Sequence, residues 1–165
     1  MTPETAMYHR AMLLVGFGDR FERDFEEALE KEDPLSDLIL SLCTCVSDRM
    51  QVLSVLNAYT LEHPADETQV CRMIREDVFG RYHSGELSRG QVVSTLYNIV
   101  LRLDKFWVDP WQSLTELSYE QELWADGILS DDVFNQCFDA WFLRGERLDG
   151  LKLQDRLSRS GKTCK

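Results

Sequence analysis

The sequence predicts an all-α chain, a single-domain bundle of about seven helices. Three observations carry this. Apolar residues recur at spacings of three and four, and the strict alternation of a half-buried strand is nearly absent. Proline, glycine and small polar residues interrupt the pattern at helix-length intervals. The 165 residues, 44% of them apolar, are enough to close one core without covalent staples.

The first helix is predicted at 5–15, entered by Pro3 and broken by Gly16 and Gly18. A very acidic helix follows at 19–31, with Phe21, Phe25 and Leu29 on one narrow apolar stripe. Next, Ile39, Leu42, Val46, Met50, Leu53 and Leu56 keep a helical stripe from end to end. This is either one long helix or two joined near Ser47-Asp48, where the polar pair caps the second. The apolar run 38–46 makes this element central, and Pro64 ends it. Residues 66–82 place Val70, Met73, Ile74 and Val78 inward, and 88–107 do the same with Val92, Leu96, Ile99, Leu103 and Phe106. Asp109 then reads as a cap with Pro110 at the first helical position and Gln112 completing a capping box, for a helix reaching 125. Ser130 caps another helix at 131–143, and a weaker one is expected at 146–157. The expected domain is 1–157, followed by a flexible basic C-terminal tail at 158–165.

"SGELSRGQVV" (84–93) resembles "DGILSDDVF" (126–134), offset by 42 residues. In both, a glycine (Gly85 or Gly127) can end one helix in the left-handed conformation. A leucine (Leu87 or Leu129) then stands before a serine cap, as a hydrophobic staple does. The period suits stacked helical hairpins, one form this bundle can take, although two copies fall short of a solenoid.

The net charge is −11. That sign argues against nucleic acid, whose phosphates need a Lys/Arg surface, and against an anionic membrane. No stretch approaches the ~20 apolar residues of a membrane span. Cys43, Cys45, Cys71, Cys137 and Cys164 show no disulfide spacing, and four of them sit inside apolar helical patterns. The run 11–17 is short for a signal peptide and lacks a small-residue cleavage site. These features lead to the expectation of a reducing, cytoplasmic setting. Charge is uneven: 144–165 holds seven basic and three acidic residues, a net +4. Residues 19–37 hold nine acidic and three basic residues, which reads as a solvated helix face with pairs such as Glu27–Lys31.

The strongest anomaly lies between Lys105 and Arg144. These 38 residues have no Lys, Arg or His, eight acidic residues, all four tryptophans and nine of the seventeen aromatics. In 131–143, Val133, Phe134, Cys137, Phe138, Trp141 and Phe142 share one face and belong to the core. Two readings compete for Trp107 and Trp111, which flank Asp109-Pro110. In one they plug the corner between two helices. In the other they form an exposed aromatic edge ringed by carboxylates, suited to gripping a basic protein.

Other chemistry is not supported. "DDVFN" (131–135) lacks a second carboxylate cluster, and its acids suit a helix first turn. "SGKT" (160–163) ends like a phosphate loop, but Arg156 stands where its first glycine belongs. "GFG" (16–18) follows a helix rather than a strand. His9, His63 and His83 are scattered, and Cys43-x-Cys45 is not zinc spacing. No cofactor or metal is expected. The leading expectation is a non-enzymatic, acidic protein-binding module of the immunity or inhibitor type, masking a basic partner such as a nuclease toxin. Its candidate contacts are Trp107, Asp109, Trp111, Glu116, Tyr119, Glu120 and Asp126. A helical scaffold or homodimer is the alternative, followed by an enzyme of unrecognised type.

Overall fold

The computed structural model describes residues 1–148. Eight α-helices follow in order: α1 (Pro3–Val15), α2 (Asp19–Lys31), α3 (Asp37–Cys43), α4 (Arg49–Glu62), α5 (Glu67–His83), α6 (Arg89–Arg102), α7 (Ser118–Ala125) and α8 (Asp131–Phe138). A 3₁₀ turn at Trp111–Leu114 precedes α7, and a π turn at Asp139–Leu143 extends α8. There is no strand among the described residues. Of the helix expected at 146–157 only 146–148 are described, and these are not helical; the tail lies outside the described residues.

Contacts group the chain into two compact units: Met1–Phe79 with Arg102–Asp104, and Gly80–Leu101 with Lys105 onward. In the first unit, α1 packs along α4, and α3 closes against both α4 and α2. Ala6, Leu13, Phe21, Phe25, Leu38, Ile39, Leu42, Val52 and Leu56 form its core. Burial of such a set is the main term holding a helical unit together. Thr2 starts α1, its hydroxyl accepting from the Thr5 amide at 3.2 Å, with Pro3 in the first turn. In α2 the stripe keeps Phe21 and Phe25 inside, but Leu29 is exposed. Glu27 and Lys31 make the expected i,i+4 pair at 2.5 Å.

The segment that left one long helix or two open resolves as two. The chain breaks after Cys43, and Asp48 caps α4 by accepting from the Met50 and Gln51 amides at 2.9 and 3.2 Å. This break resets the helical phase. Val46 and Met50, inward on a continuous stripe, become exposed (Met50 73%), and Val52 joins Leu56 in the core. The same break leaves Leu40 and Cys43 in solvent, against the expectation of a wholly buried run. Cys45 and Cys71 are buried, and burial pushes the Cys71 thiol up to about 12.

A polar cluster sits beside this core. The Tyr8 hydroxyl donates to Asp77, and the Arg20 guanidinium lies 5.0 Å over the Tyr8 ring. His9 is buried, with Nε2 3.1 Å from an Asp24 oxygen and its ring edge-on to Phe21. Burial pulls the His9 imidazole down to about 4, against the opposing pull of Asp24.

In the second unit, α6 buries Val92, Val93, Leu96, Ile99 and Val100. It ends at Arg102 rather than 107. Asp104 takes a left-handed conformation (φ 56°), and the Lys105 amide donates to the Val100 carbonyl at 3.0 Å. The helix expected from Asp109 does not form. Serine and threonine hydroxyls hold carbonyls three residues back instead: Ser113 to Pro110, Thr115 to Gln112 and Ser118 to Thr115, at 2.7, 3.0 and 2.8 Å. Such local bonds compete with helix continuation, so only a 3₁₀ turn forms, headed by Pro110 with no side-chain cap. α8 and the π turn bury Val133, Phe134, Cys137, Phe138, Trp141 and Phe142, the face that periodicity indicated.

The two similar turns share one geometry. Gly85 and Gly127 are left-handed (φ 79° and 71°). Glu86 and Leu87 amides both reach the Arg81 carbonyl, just as Ile128 and Leu129 amides both reach that of Leu123. Leu87 and Leu129 are both buried. Ser88 forms the capping box with Gln91, whereas Ser130 makes no side-chain cap bond.

Two measurements test this account. Leu56→Ala removes a fully buried side chain and should lower unfolding free energy by about 2–5 kcal/mol in urea titration, whereas Met50→Ala should stay within about 0.5 kcal/mol. Because the folded state disfavours protonated His9, stability is complete above the ordinary histidine value near 6.5 and is lost as pH falls toward 4. This group alone should remove about 2 kcal/mol between pH 8 and pH 5. The His9 ring resonance, assigned by its loss in His9→Gln, titrating near 4 identifies the source; the same resonance titrating at 6.5 contradicts it.

Candidate functional site

The second unit carries the acidic, aromatic segment. Its aromatic residues divide sharply. Trp111 is wholly buried (0% exposed), beside the equally buried Leu114 and Leu117 of the same stretch. The Trp141 indole N–H donates to the Ser113 carbonyl at 3.0 Å, tying the π turn to the 3₁₀ turn. Trp124 stacks on Phe134 with centroids 4.6 Å apart, and its indole N–H donates to Asp131 at 2.7 Å. Trp111, Trp141 and Phe134 belong to the core, and Trp124 is half-buried at its edge. Trp107 does the opposite: 89% of its surface meets solvent. It follows Phe106, whose ring packs edge-on against Tyr97 at 5.0 Å. The left-handed turn at Asp104 that ends α6 presents this stretch outward.

The seven sequence-derived contacts therefore separate. Trp107, Asp109, Tyr119 (63% exposed) and Asp126 lie on the surface. Trp111 is a plug, which corrects its assignment as a partner anchor. Glu120 is also corrected: it is only 8% exposed, too deep to steer a partner. Its helical phase in α7 turns it inward because α7 starts at Ser118 rather than 110. Burial, reinforced by the nearby Glu116 charge, raises the Glu120 carboxyl above its ordinary value. Glu116 is largely covered. It accepts from the Leu148 amide at 3.2 Å and lies 3.5 Å from Arg147.

Neutralisation is uneven across the carboxylates. Arg89 pairs with Asp139 at 3.2 Å and sits 5.6 Å over the Phe138 ring. Among the described residues, Asp109, Glu122, Asp126 and Asp132 have no ion-pair partner. The stretch 106–143 itself contains no cation.

Periodicity did not reveal a groove between α6 and α7. It is a cavity of about 220 Å³ lined by Ser94, Tyr97, Asn98, Ser118, Gln121 and Glu122. The Gln121 side-chain amide spans it, donating to the Gly90 carbonyl at 3.1 Å and the Ser94 hydroxyl at 2.8 Å. The available sequence signal was weak: Ser94, Tyr97 and Asn98 fall off the inward stripe of α6.

In the first unit, a cavity of about 450 Å³ between α3 and α4 includes Asp37, Glu62 and His63, and His63 stacks on Tyr59 at 4.2 Å. Among the described residues, no three His, Cys, Asp or Glu side chains converge to hold a metal ion. No described helix is long and apolar enough to cross a membrane. Comparison with protein-family models, curated proteins and solved structures finds no match.

The division of the tryptophans has a direct test. Trp107→Phe should leave the unfolding free energy within about 0.5 kcal/mol, and Trp111→Ala should cost about 3–5 kcal/mol. Acrylamide should quench a red-shifted emission component that disappears in Trp107→Phe.

Proposed function

We propose that this protein is a non-enzymatic binding module that holds a basic protein partner on the acidic face of its second unit. Trp107 carries the reading. A tryptophan that exposes 89% of its surface leaves a large apolar area in water, and tryptophan is enriched among the residues that carry most of the energy of a protein interface. Tyr119 and Ile128, both exposed in the same unit, add contact area. The unpaired Asp109, Glu122, Asp126 and Asp132 supply long-range attraction, which raises the association rate more than it deepens the final affinity. A protein that normally holds phosphates, such as a nuclease toxin, has the complementary surface. Masking it is the inhibitor or immunity role.

Self-association is the second reading, favoured by the exposed Met50 and Leu61 on α4. A dimer persisting on dilution and abolished by Met50→Glu with Leu61→Glu would support it.

The primary reading is tested by affinity capture from the native host, using wild type and Trp107→Ala in parallel. A basic protein should be recovered in equal amount with wild type at low salt. It should weaken at high salt, where exposed charges are screened, and fall at least tenfold with Trp107→Ala, as loss of a hot spot requires. Equal recovery with both proteins, or an empty wild-type lane, overturns it.

A further inference from the structure

The groove between α6 and α7 holds donors in the Asn98 amide and the Ser94 and Tyr97 hydroxyls, and acceptors on its α7 side. Both hydrogens of the Gln121 amide are engaged, with the Gly90 carbonyl and the Ser94 hydroxyl. Its Oε1 carbonyl is left to accept. The Ser118 hydroxyl donates to the Thr115 carbonyl at 2.8 Å, so toward a ligand it can only accept. Glu122 is exposed and contributes a carboxylate, the one formal charge among the lining residues. One wall is the Tyr97 ring, held edge-on by Phe106 at 5.0 Å and 70°. The volume, about 220 Å³, is below that of a drug-sized site and suits one long side chain.

The Glu122 carboxylate and the Gln121 carbonyl, beside the Tyr97 ring, match a planar cation rich in donors. Guanidinium has five N–H donors and no acceptor, and it stacks on aromatic rings. An ammonium would satisfy the carboxylate but, as a compact and strongly hydrated charge, would use the flat wall poorly. We infer that this groove receives an arginine side chain of the protein partner, its guanidinium bonded to the Glu122 carboxylate and the Gln121 carbonyl and laid against the Tyr97 ring. The inference rests on the partner-binding reading above and specifies a residue the partner must present. Phe106 packs on Tyr97 and is followed directly by Trp107, so the pocket wall and the exposed indole belong to one stretch of chain.

The test titrates Nα-acetyl-arginine methylamide into the ¹⁵N-labelled full chain, with the neutral citrulline counterpart as control. The amide resonances of Ser94, Tyr97, Ser118 and Gln121 should move with the arginine probe and stay in place with citrulline. Glu122→Gln, an exchange at an exposed position, should weaken probe binding about tenfold, the effect of losing one charge-assisted bond. Equal shifts with citrulline overturn the inference. So do shifts spread over Asp109, Asp126 and Asp132 that ignore Glu122→Gln, or no shift at the solubility limit of the probe. A partner lost with Trp107→Ala but retained with Glu122→Gln would remove the arginine pocket and leave the partner reading intact.

Discussion

The side-chain amide of Gln121 holds the second unit in the arrangement that its surface chemistry requires. One residue of α7 donates to two groups of α6, the Gly90 carbonyl and the Ser94 hydroxyl. A pair of such bonds contributes modestly to stability, on the order of 1 kcal/mol each. Its larger effect is geometric. It fixes how far α6 and α7 separate, and so the width of the groove between them. It also leaves the Gln121 carbonyl oxygen as the remaining hydrogen-bonding atom of that amide, because both of its hydrogens are engaged.

The acidic composition acquires structure once individual carboxylates are placed. Some of the charge serves the fold: Asp139 holds Arg89, Asp131 receives the Trp124 indole, and Glu116 secures residues 147 and 148. Glu120 is buried, and its carboxyl is shifted toward the neutral form. The remaining surface charge repels itself, which a free monomer gains nothing from beyond solubility. The basic partner proposed above would relieve that repulsion. The first unit uses its charged groups differently, gathering Tyr8, Asp77, Arg20, His9 and Asp24 along α1, α2 and α5.

Most of the fold was legible because helical burial has a period. Val70, Ile74 and Val78, or Val92, Leu96 and Ile99, announce their helix and its inward face together. The misreadings share one cause: a stripe records phase only while the helix is continuous. Where the chain breaks at 44–48, Val46 and Met50 rotate out. Where hydroxyl-to-carbonyl bonds interrupt 110–118, Asp109 loses its capping role, Trp111 turns in and Glu120 is carried inside. Trp107 and Trp111 look alike in sequence, and only the left-handed turn at Asp104 and the 3₁₀ turn tell them apart. The groove was invisible for a different reason. It depends on side chains from two helices meeting, and on which hydrogens are already engaged, neither of which leaves a periodic mark.

The matched turns at Gly85 and Gly127 bear on how this chain can change over time. A side chain at either glycine would meet open space, so shape complementarity does not hold these positions; the backbone angle alone does. Each hairpin tip is thus governed by a local rule rather than by its neighbours. Residues beyond the turn can drift, and the hairpins can be lengthened or decorated separately, as long as a glycine or an asparagine keeps the bend. A molecule jointed in this way can revise its hairpin tips without rebuilding the interior that supports them.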